Sequence, residues 1–462
     1  MIAVIPGDPS DPRRLNFDPG AVEGVCMLNG SPSAGAPKGA AETPRRTPKI
    51  DSNARRLDPA PFVDPIEQSV LEAEQAGVIR QSISTSPYTG RHVEIGAQRL
   101  LNFGGCSYLG LELRPELKAA VSDAVRRYGT QFSFSRAYLT SSLYPELESE
   151  LEHITDRPVV VSASTTLGHI AALPVLVEPG DAVVIDQFAH ASLHTAAGLL
   201  HQAHVLPVRH SKISALSAKL VELSRSHRRI WYVLDGLYSM HGDFAPFEEL
   251  SALLEQHPQL YLYVDDAHAT SWCGVHGRGR ALEQLAETSR AVVALSLNKC
   301  FSAAGGALVF PDARLRDRVR RCGGPMLFSG PIQPPMLAAA LASAKLHQTP
   351  ELPLLQRRLA DRIDRVLELA RELHVPLTTW APTPIFFVRC GRSQVAFRVV
   401  QALRERHLYV CPSVFPAVPR NHAGLRFTVS LHNPMEDIEQ LMGELAVQVR
   451  EHGLARPSAA AE

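Results

Sequence analysis

Between residues 158 and 310, short apolar runs alternate with helical segments. The runs at 158–162, 182–186, 203–208, 230–234, 260–264, 292–296 and 307–310 read as strands. Several are apolar on successive residues, the pattern of strands buried on both faces of a mostly parallel sheet. Ligands of such sheets bind beyond the carboxyl ends of the strands. Upstream, residues 115–127 have the helical period on Leu117, Val121 and Val125, with Pro115 suited to the first turn, and 145–153 also predict a helix. Residues 65–79 predict a helix on Ile66, Val70, Leu71 and Val78, either an arm against a partner subunit or a surface helix. After a break at 328–335, helices are expected over 336–346 and 354–373. A second unit follows: strand 384–389, helix 394–406, strands 409–411 and 425–430, and helix 435–451.

Composition narrows the class. The chain has 462 residues, 45% hydrophobic and 20% charged, which suffices for two or more cored domains. Its 47 basic and 47 acidic residues cancel, so nothing advertises a nucleic-acid or anionic-membrane footprint. Arg126–Arg127 and Arg318, Arg320 and Arg321 read as solvated helix faces. The cysteines at 26, 106, 273, 300, 322, 390 and 411 lack metal-ligand spacing and are expected to be free thiols, with no metal site. No signal peptide and no apolar stretch of membrane-spanning length is evident, so the expected location is the cytoplasm. Nine prolines between positions 6 and 59 predict a disordered or loosely attached extension. The expected organisation is therefore an extension at 1–60, an N-terminal segment at 61–99, a large domain at 100–345, a small domain at 346–452 and a flexible tail at 453–462.

Five polar clusters stand at predicted strand ends. Asp265, Asp266 and His268 follow the strand at 260–264; an acid there either caps a turn or meets a ligand's cation. Lys299 ends an apolar run before Gly305–Gly306 and is badly placed as a mere solubilising charge. Ser162, Ser164 and Thr165 lie where a strand yields to a helix, as simple N-caps or as an anion site. His190 follows another strand and is a candidate for stacking on a flat cofactor or for a structural hydrogen bond. Ser239, His241 and Asp243 follow the strand at 230–234.

Taken in order, Asn102–Phe103 with Tyr108–Gly110, Phe188–Ser192, Tyr238–Asp243, Val264–His268, Ser296–Lys299, Gly305–Gly306 and Val414–Pro419 resemble the alpha-oxoamine synthases. The resemblance runs from about Asn102 to Val447. It implies an aspartate aminotransferase-like α/β fold of type I, with a large mostly parallel or mixed-sheet domain that binds pyridoxal 5'-phosphate (PLP) and a smaller C-terminal α+β domain. By matching motif, Lys299 resembles the Schiff-base lysine and Asp265 the partner of the pyridine nitrogen. His268 is similar to the histidine at the ring hydroxyl, and His190 to the one stacked on the ring. Ser164 and Thr165 match the phosphate-holding pair, or Ser162–Ala163 if the register is anchored on Leu167–Gly168. Ser296 matches a phosphate-contacting threonine and Ser239 a serine near the cofactor. Ser329 lies in the segment that reaches the neighbouring subunit's phosphate, which implies a homodimer with shared sites. Arg426 resembles the receptor of the amino-acid carboxylate, and Ser107 and Arg136 fall in substrate-side segments.

The implied reaction condenses an α-amino acid with an acyl thioester, on coenzyme A or a carrier protein, to give an α-amino ketone, carbon dioxide and free thiol. The chain departs from the family pattern mainly on the substrate side. Cys106–Ser107 replaces an Asn-Asn or Asn-Asp pair, His241 replaces an aspartate, Ser162–Thr165 lacks the usual glycine–aromatic turn, residues 129–135 are bulkier, and Arg426 stands alone where two arginines are common. Transamination or carbon–carbon lysis on the same fold is the alternative, and a silent partner subunit is a third reading, disfavoured by retention of Lys299, Asp265 and His268.

Overall fold

The computed structural model describes residues 63–85, 87–285 and 288–454. The extension expected at 1–60, Cys26 and most of the tail lie outside the described residues.

The strands are β1 (His92–Ile95), β2 (Gln98–Asn102), β3 (Val159–Ser162), β4 (Ala182–Asp186), β5 (His204–Val208), β6 (Ile230–Asp235), β7 (Leu260–Asp265), β8 (Ala291–Ser296), β9 (Gly306–Val309), β10 (Ile385–Gly391), β11 (Leu408–Tyr409), β12 (Cys411–Ser413) and β13 (Ala423–Thr428). All the runs expected between 158 and 310 join one seven-stranded sheet, in the order β3-β9-β8-β7-β6-β4-β5. β9 is antiparallel to both neighbours, and the pairings among β4 to β8 are parallel. Alternate residues pack on opposite faces. Val160, Val183, Trp231, Tyr263 and Leu308 share one core with the helix Thr165–Leu176, while Val161, Val184, Leu234, Val264 and Leu295 share another with Leu143–Thr155 and Pro334–His347. Burial on both faces is why these runs are continuously apolar. At their carboxyl ends they turn polar, on Ser162, Asp186, Asp235, Asp265 and Ser296.

A smaller antiparallel sheet, β10-β13-β12, packs with helices Glu351–Glu372, Ser393–Glu405 and Met435–Glu451 around Leu403, Leu425, Phe427 and Leu441. The architecture is thus a large mixed sheet with a smaller C-terminal α+β part, as the resemblance implied.

Four local features depart from expectation. The hairpin β1–β2 was not anticipated: its strands are very short, and Gly96, at φ +60°, closes the turn between Ile95 and Gln98. The single strand expected at 409–411 is divided, because the chain passes from β2's parallel partner β11 to β13's antiparallel partner β12. In the helix Pro115–Tyr128 the buried positions are Leu117 and Ala124, and Val125 is 41% exposed. The N-terminal helix, Asp64–Gln75, buries Ala73 and leaves Leu71 on the surface.

Candidate active site

Asp265 is the last residue of β7, paired opposite Asp235 on β6 and Ala294 on β8. Its Oδ1 accepts the Ala267 amide at 3.1 Å, which turns the chain towards His268, and its Oδ2 lies 3.0 Å from His169 Nε2. His169 is fully buried on the helix Thr165–Leu176, and its Nδ1 meets the Tyr263 hydroxyl at 3.0 Å. Burial works to neutralise Asp265, but His169, then Lys299 and His190, outweigh it and hold the carboxyl well below its ordinary range. Asp235 goes the other way: burial and the adjacent charge of Asp265 raise it, and its Oδ1 accepts the His190 amide at 2.9 Å. Two carboxyls side by side have thus been driven apart, one charged and one neutral. Asp266 realises the bland reading of the acidic pair. Burial raises it to about 7, and its Oδ2 accepts the Ala281 amide at 2.9 Å, pinning the loop that follows.

Lys299 is half-buried in the turn after β8, where its carbonyl accepts the Ser302 amide at 2.9 Å. Its charge is felt at Asp265, His190, His268 and Cys106, so these groups surround one space. His190 caps the helix Ala191–Ala197 by accepting the Ser192 amide on Nδ1, which leaves Nε2 as the ring's proton-bearing nitrogen. His268 Nδ1 meets the Tyr108 hydroxyl at 2.9 Å. Burial, helped by Lys299 and Arg426, pushes the His268 pKa well down and keeps its imidazole neutral.

At the start of the helix Thr165–Leu176, Ser164 caps the amide of Leu167 at 3.1 Å. The amides of Thr165 and Thr166 have no partners within the helix and form the positive end of its dipole. Gly306 on β9 runs so close that a Cβ there would lie 2.6 Å from the Thr165 nitrogen, and Gly305 takes φ +106°. The paired glycines therefore serve close backbone approach. Ser162 spends its hydroxyl on the carbonyls of Ser164 and Gly306, so it is structural in this arrangement. Ser296, buried, bonds Asn298 at 2.8 Å.

On the opposite side, Arg426 of β13 is buried. Its Nε donates to the Ser239 carbonyl at 2.7 Å and its Nη2 to Cys106 Sγ at 3.7 Å. Ser239 therefore reaches the cluster through its backbone. Ser107 joins Glu112, which pairs with His432 at 2.9 Å, and lies 3.4 Å from Ser302 in the Lys299 turn. Arg136 is not brought to this space: its guanidinium donates to the Val161 carbonyl at 2.7 Å and lies over the Tyr144 ring. Ser329 bonds the Pro325 carbonyl at the end of the helix Gly324–Phe328 and makes no contact with the cluster.

His241 packs its ring against Phe188 and Phe387, with centroids 5.3 and 5.2 Å away, and Asp243 is diverted. Asp243 and Asp186 clamp His210 at 2.8 and 3.1 Å, with Phe188 stacked on the ring. Burial opposes charge on His210, but the two carboxylates raise its pKa to about 10. A group whose folded pKa lies above its unfolded value of about 6.5 contributes stability in full below that value and loses it as pH rises through the folded pKa. His210→Asn is therefore expected to cost about 3 kcal/mol near pH 6, with the difference from wild type closing towards pH 10 in urea melts. An equal loss at both pH values would contradict the clamp.

Sequence reading missed His169 and Asp235. His169 sits inside an apolar helix and carried no motif; Asp235 was overlooked although it ends a strand.

The aminotransferase class I and II family model matches residues 99–445. The 8-amino-7-oxononanoate synthase of Symbiobacterium thermophilum is 31% identical over 394 residues, 82% of this chain and 96% of that protein. Its counterpart from Anaeromyxobacter sp. (strain K) is 32% identical over 84% of this chain and 96% of its own length. The serine palmitoyltransferase of S. paucimobilis, solved with PLP and myriocin bound, superposes with a TM-score of 0.78 at 23% identity, covering 86% of this chain and 99% of that one. The 8-amino-7-oxononanoate synthase of Francisella tularensis gives 0.65 at 21% identity, over 77% of this chain and 99% of that one.

Proposed function

The chain belongs to the aminotransferase class I and II family, and within it to the alpha-oxoamine synthases, PLP enzymes of fold type I; from that premise we propose that it condenses an α-amino acid with an acyl thioester. One amino acid, one thioester and one proton yield one α-amino ketone, one carbon dioxide and one thiol. The observation that carries this reading is an ionised Asp265 at the end of β7, braced by His169, with Lys299 in the turn that follows the neighbouring strand β8.

The residues present fit the cofactor. A lysine amine, an anionic carboxylate, neutral imidazoles, hydroxyls and an open helix N-terminus are the complements of an aldehyde, a pyridinium, a ring hydroxyl and a phosphate. Lys299 would hold PLP covalently, Asp265 its ring nitrogen, His268 its hydroxyl and His190 its face. The Thr165 end of its helix, with Ser164 and Ser296, would hold the phosphate. When bound, PLP supplies an electron sink for the carbanion at the substrate's α-carbon.

The protein's own groups do the rest. Arg426 orients the amino-acid carboxylate with its remaining guanidinium donors. Lys299 Nζ takes the α proton and later returns one to the product carbon. His190 Nε2–H donates to the thioester carbonyl oxygen as it gains charge. Tyr108 orients His268, and the Ser107–Glu112–His432 chain supports the Lys299 turn.

We also take the enzyme to be a homodimer. Phe134, Tyr138, Leu139 and Phe328 are 47%, 86%, 54% and 82% exposed. Ser135 Oγ donates to the Leu327 carbonyl at 2.8 Å, so the two segments share one apolar surface beside Ser329. A patch of this kind calls for a partner, and a second copy would bring Ser329 to its neighbour's phosphate. Tyr138→Glu with Phe328→Glu is expected to give monomers by light scattering and to lower turnover at least about tenfold, since part of the phosphate site would be lost. A dimer of unchanged mass would refute this interface.

The defining experiment offers holoenzyme a panel of amino acids with acyl-coenzyme A and acyl-carrier protein, and measures thiol and carbon dioxide together. Equimolar release from one pair supports the condensation and identifies the carrier. Amino transfer to a keto acid without thiol release would overturn it.

A further inference from the structure

Arg426 is only 6% exposed, and none of the ion pairs among the described residues gives it a carboxylate. A buried guanidinium without a counter-ion is costly, because its desolvation is not offset by an opposite charge. Its polar contacts are the Ser239 carbonyl and the sulfur of Cys106, at 2.7 and 3.7 Å. Tyr108, Cys411 and Lys299 also face this corner, with His268 one hydrogen bond further on through Tyr108.

These acids respond differently to the shared cation. Burial pushes Tyr108 and Cys411 up, each beyond what Arg426 offsets. Burial also opposes ionisation of Cys106, but Arg426 and Lys299 prevail and lower its pKa. Cys273 and Cys300, away from Arg426, are raised to about 12 and behave as buried hydrophobes. Cys106 stands where the family pattern carries an amide, which cannot ionise.

We propose that Cys106 is the resting counter-ion of Arg426, a thiolate that the substrate carboxylate replaces, so that amino-acid binding is coupled to proton uptake at Cys106 Sγ. The inference rests on Arg426 being the carboxylate receptor. Two anions on one guanidinium repel, so as the carboxylate enters the sulfur accepts a proton and remains as neutral Cys–SH. The proton balance closes within the substrate. A zwitterionic amino acid sheds one ammonium proton before its amine becomes nucleophilic, and the thiolate gains one. Tyr108, bonded to His268 Nδ1 and in reach of Cys106, lies on the path between them.

The test is a pH titration of the thiolate ultraviolet band in holoenzyme, wild type minus Cys106→Ser, which isolates this sulfur from the other cysteines. Cys106 is expected to titrate below the ordinary thiol value of about 8.5. It should rise by more than about one unit in Arg426→Gln, and by less in Arg426→Lys. Titration at or above the ordinary value in wild type overturns the proposal, and that arm needs no Arg426 variant to fold. Glycine, L-alanine and L-serine are then added, with binding read from the visible absorption of the cofactor. An amino acid that binds should erase the thiolate band. A band that titrates low yet survives binding would overturn the exchange and count against Arg426 as the carboxylate receptor, while leaving the cofactor assignment intact.

Discussion

On the proposed reading, Lys299→Ala is expected to purify without yellow colour and to lose turnover by about 10³- to 10⁴-fold or more, because one side chain would supply both the covalent hold on the cofactor and the base. Two properties of the site make this separable from misfolding. Lys299 is half-buried and makes no side-chain hydrogen bond among the described residues, and the turn that carries it is held by backbone bonds to Ser302, Ala303 and Gly305. The variant should therefore melt like wild-type apoprotein. Borohydride reduction followed by peptide mass analysis should add the cofactor's mass to the Lys299 peptide of wild type and to no peptide of the variant. A small amine such as methylamine, added to the variant loaded with cofactor, should restore part of the proton transfer. Retained colour with the mass on another lysine would sink the assignment.

Asp265→Asn is expected to keep the fold and the covalent cofactor but to lower turnover by about 10³-fold, since the amide preserves shape and removes the charge that would keep the ring nitrogen protonated. His169 distinguishes charge from mere occupancy. Without His169, burial of Asp265 would be less opposed and its carboxyl would protonate at higher pH. His169→Phe should therefore move the acid limb of the pH–rate profile to higher pH and lower activity at neutral pH by about tenfold. His169→Asn, which can still donate to Oδ2, should fall between. An acid limb unmoved in both variants would reduce His169 to packing.

Much of this site is legible in the chain because of how its scaffold is buried. A strand covered on both faces tolerates almost no polar residue along its length, so the first polar residue marks its end. Asp265 stands out for that reason, while Lys299 and His190 lie three and four residues beyond Ser296 and Asp186, which end their own strands. The same reasoning covers Ser164, although its hydroxyl caps Leu167 and only the helix end it begins is free for an anion. The rule fails where an element is too short to show a period, as at β1 and β2, or where one run serves two sheets, as at β11 and β12. It fails too for Arg136, whose charge is spent on Val161 and Tyr144.

The places of Lys299 and Asp265 beyond buried runs, the succession of those runs along the chain and the family to which their motifs belong were legible in the chain alone. Local burial is written in local composition, and these residues break it. What only the tertiary structure decided is which groups face them. Whether Asp265 is charged depends on His169, some hundred residues earlier, and on the opposing strand's Asp235. Whether Arg426 finds a carboxylate or the sulfur of Cys106 depends on a contact between β13 and a loop far upstream. Ionisation in a buried site is set by neighbours within a few ångströms, and distance along the chain carries no information about distance in space.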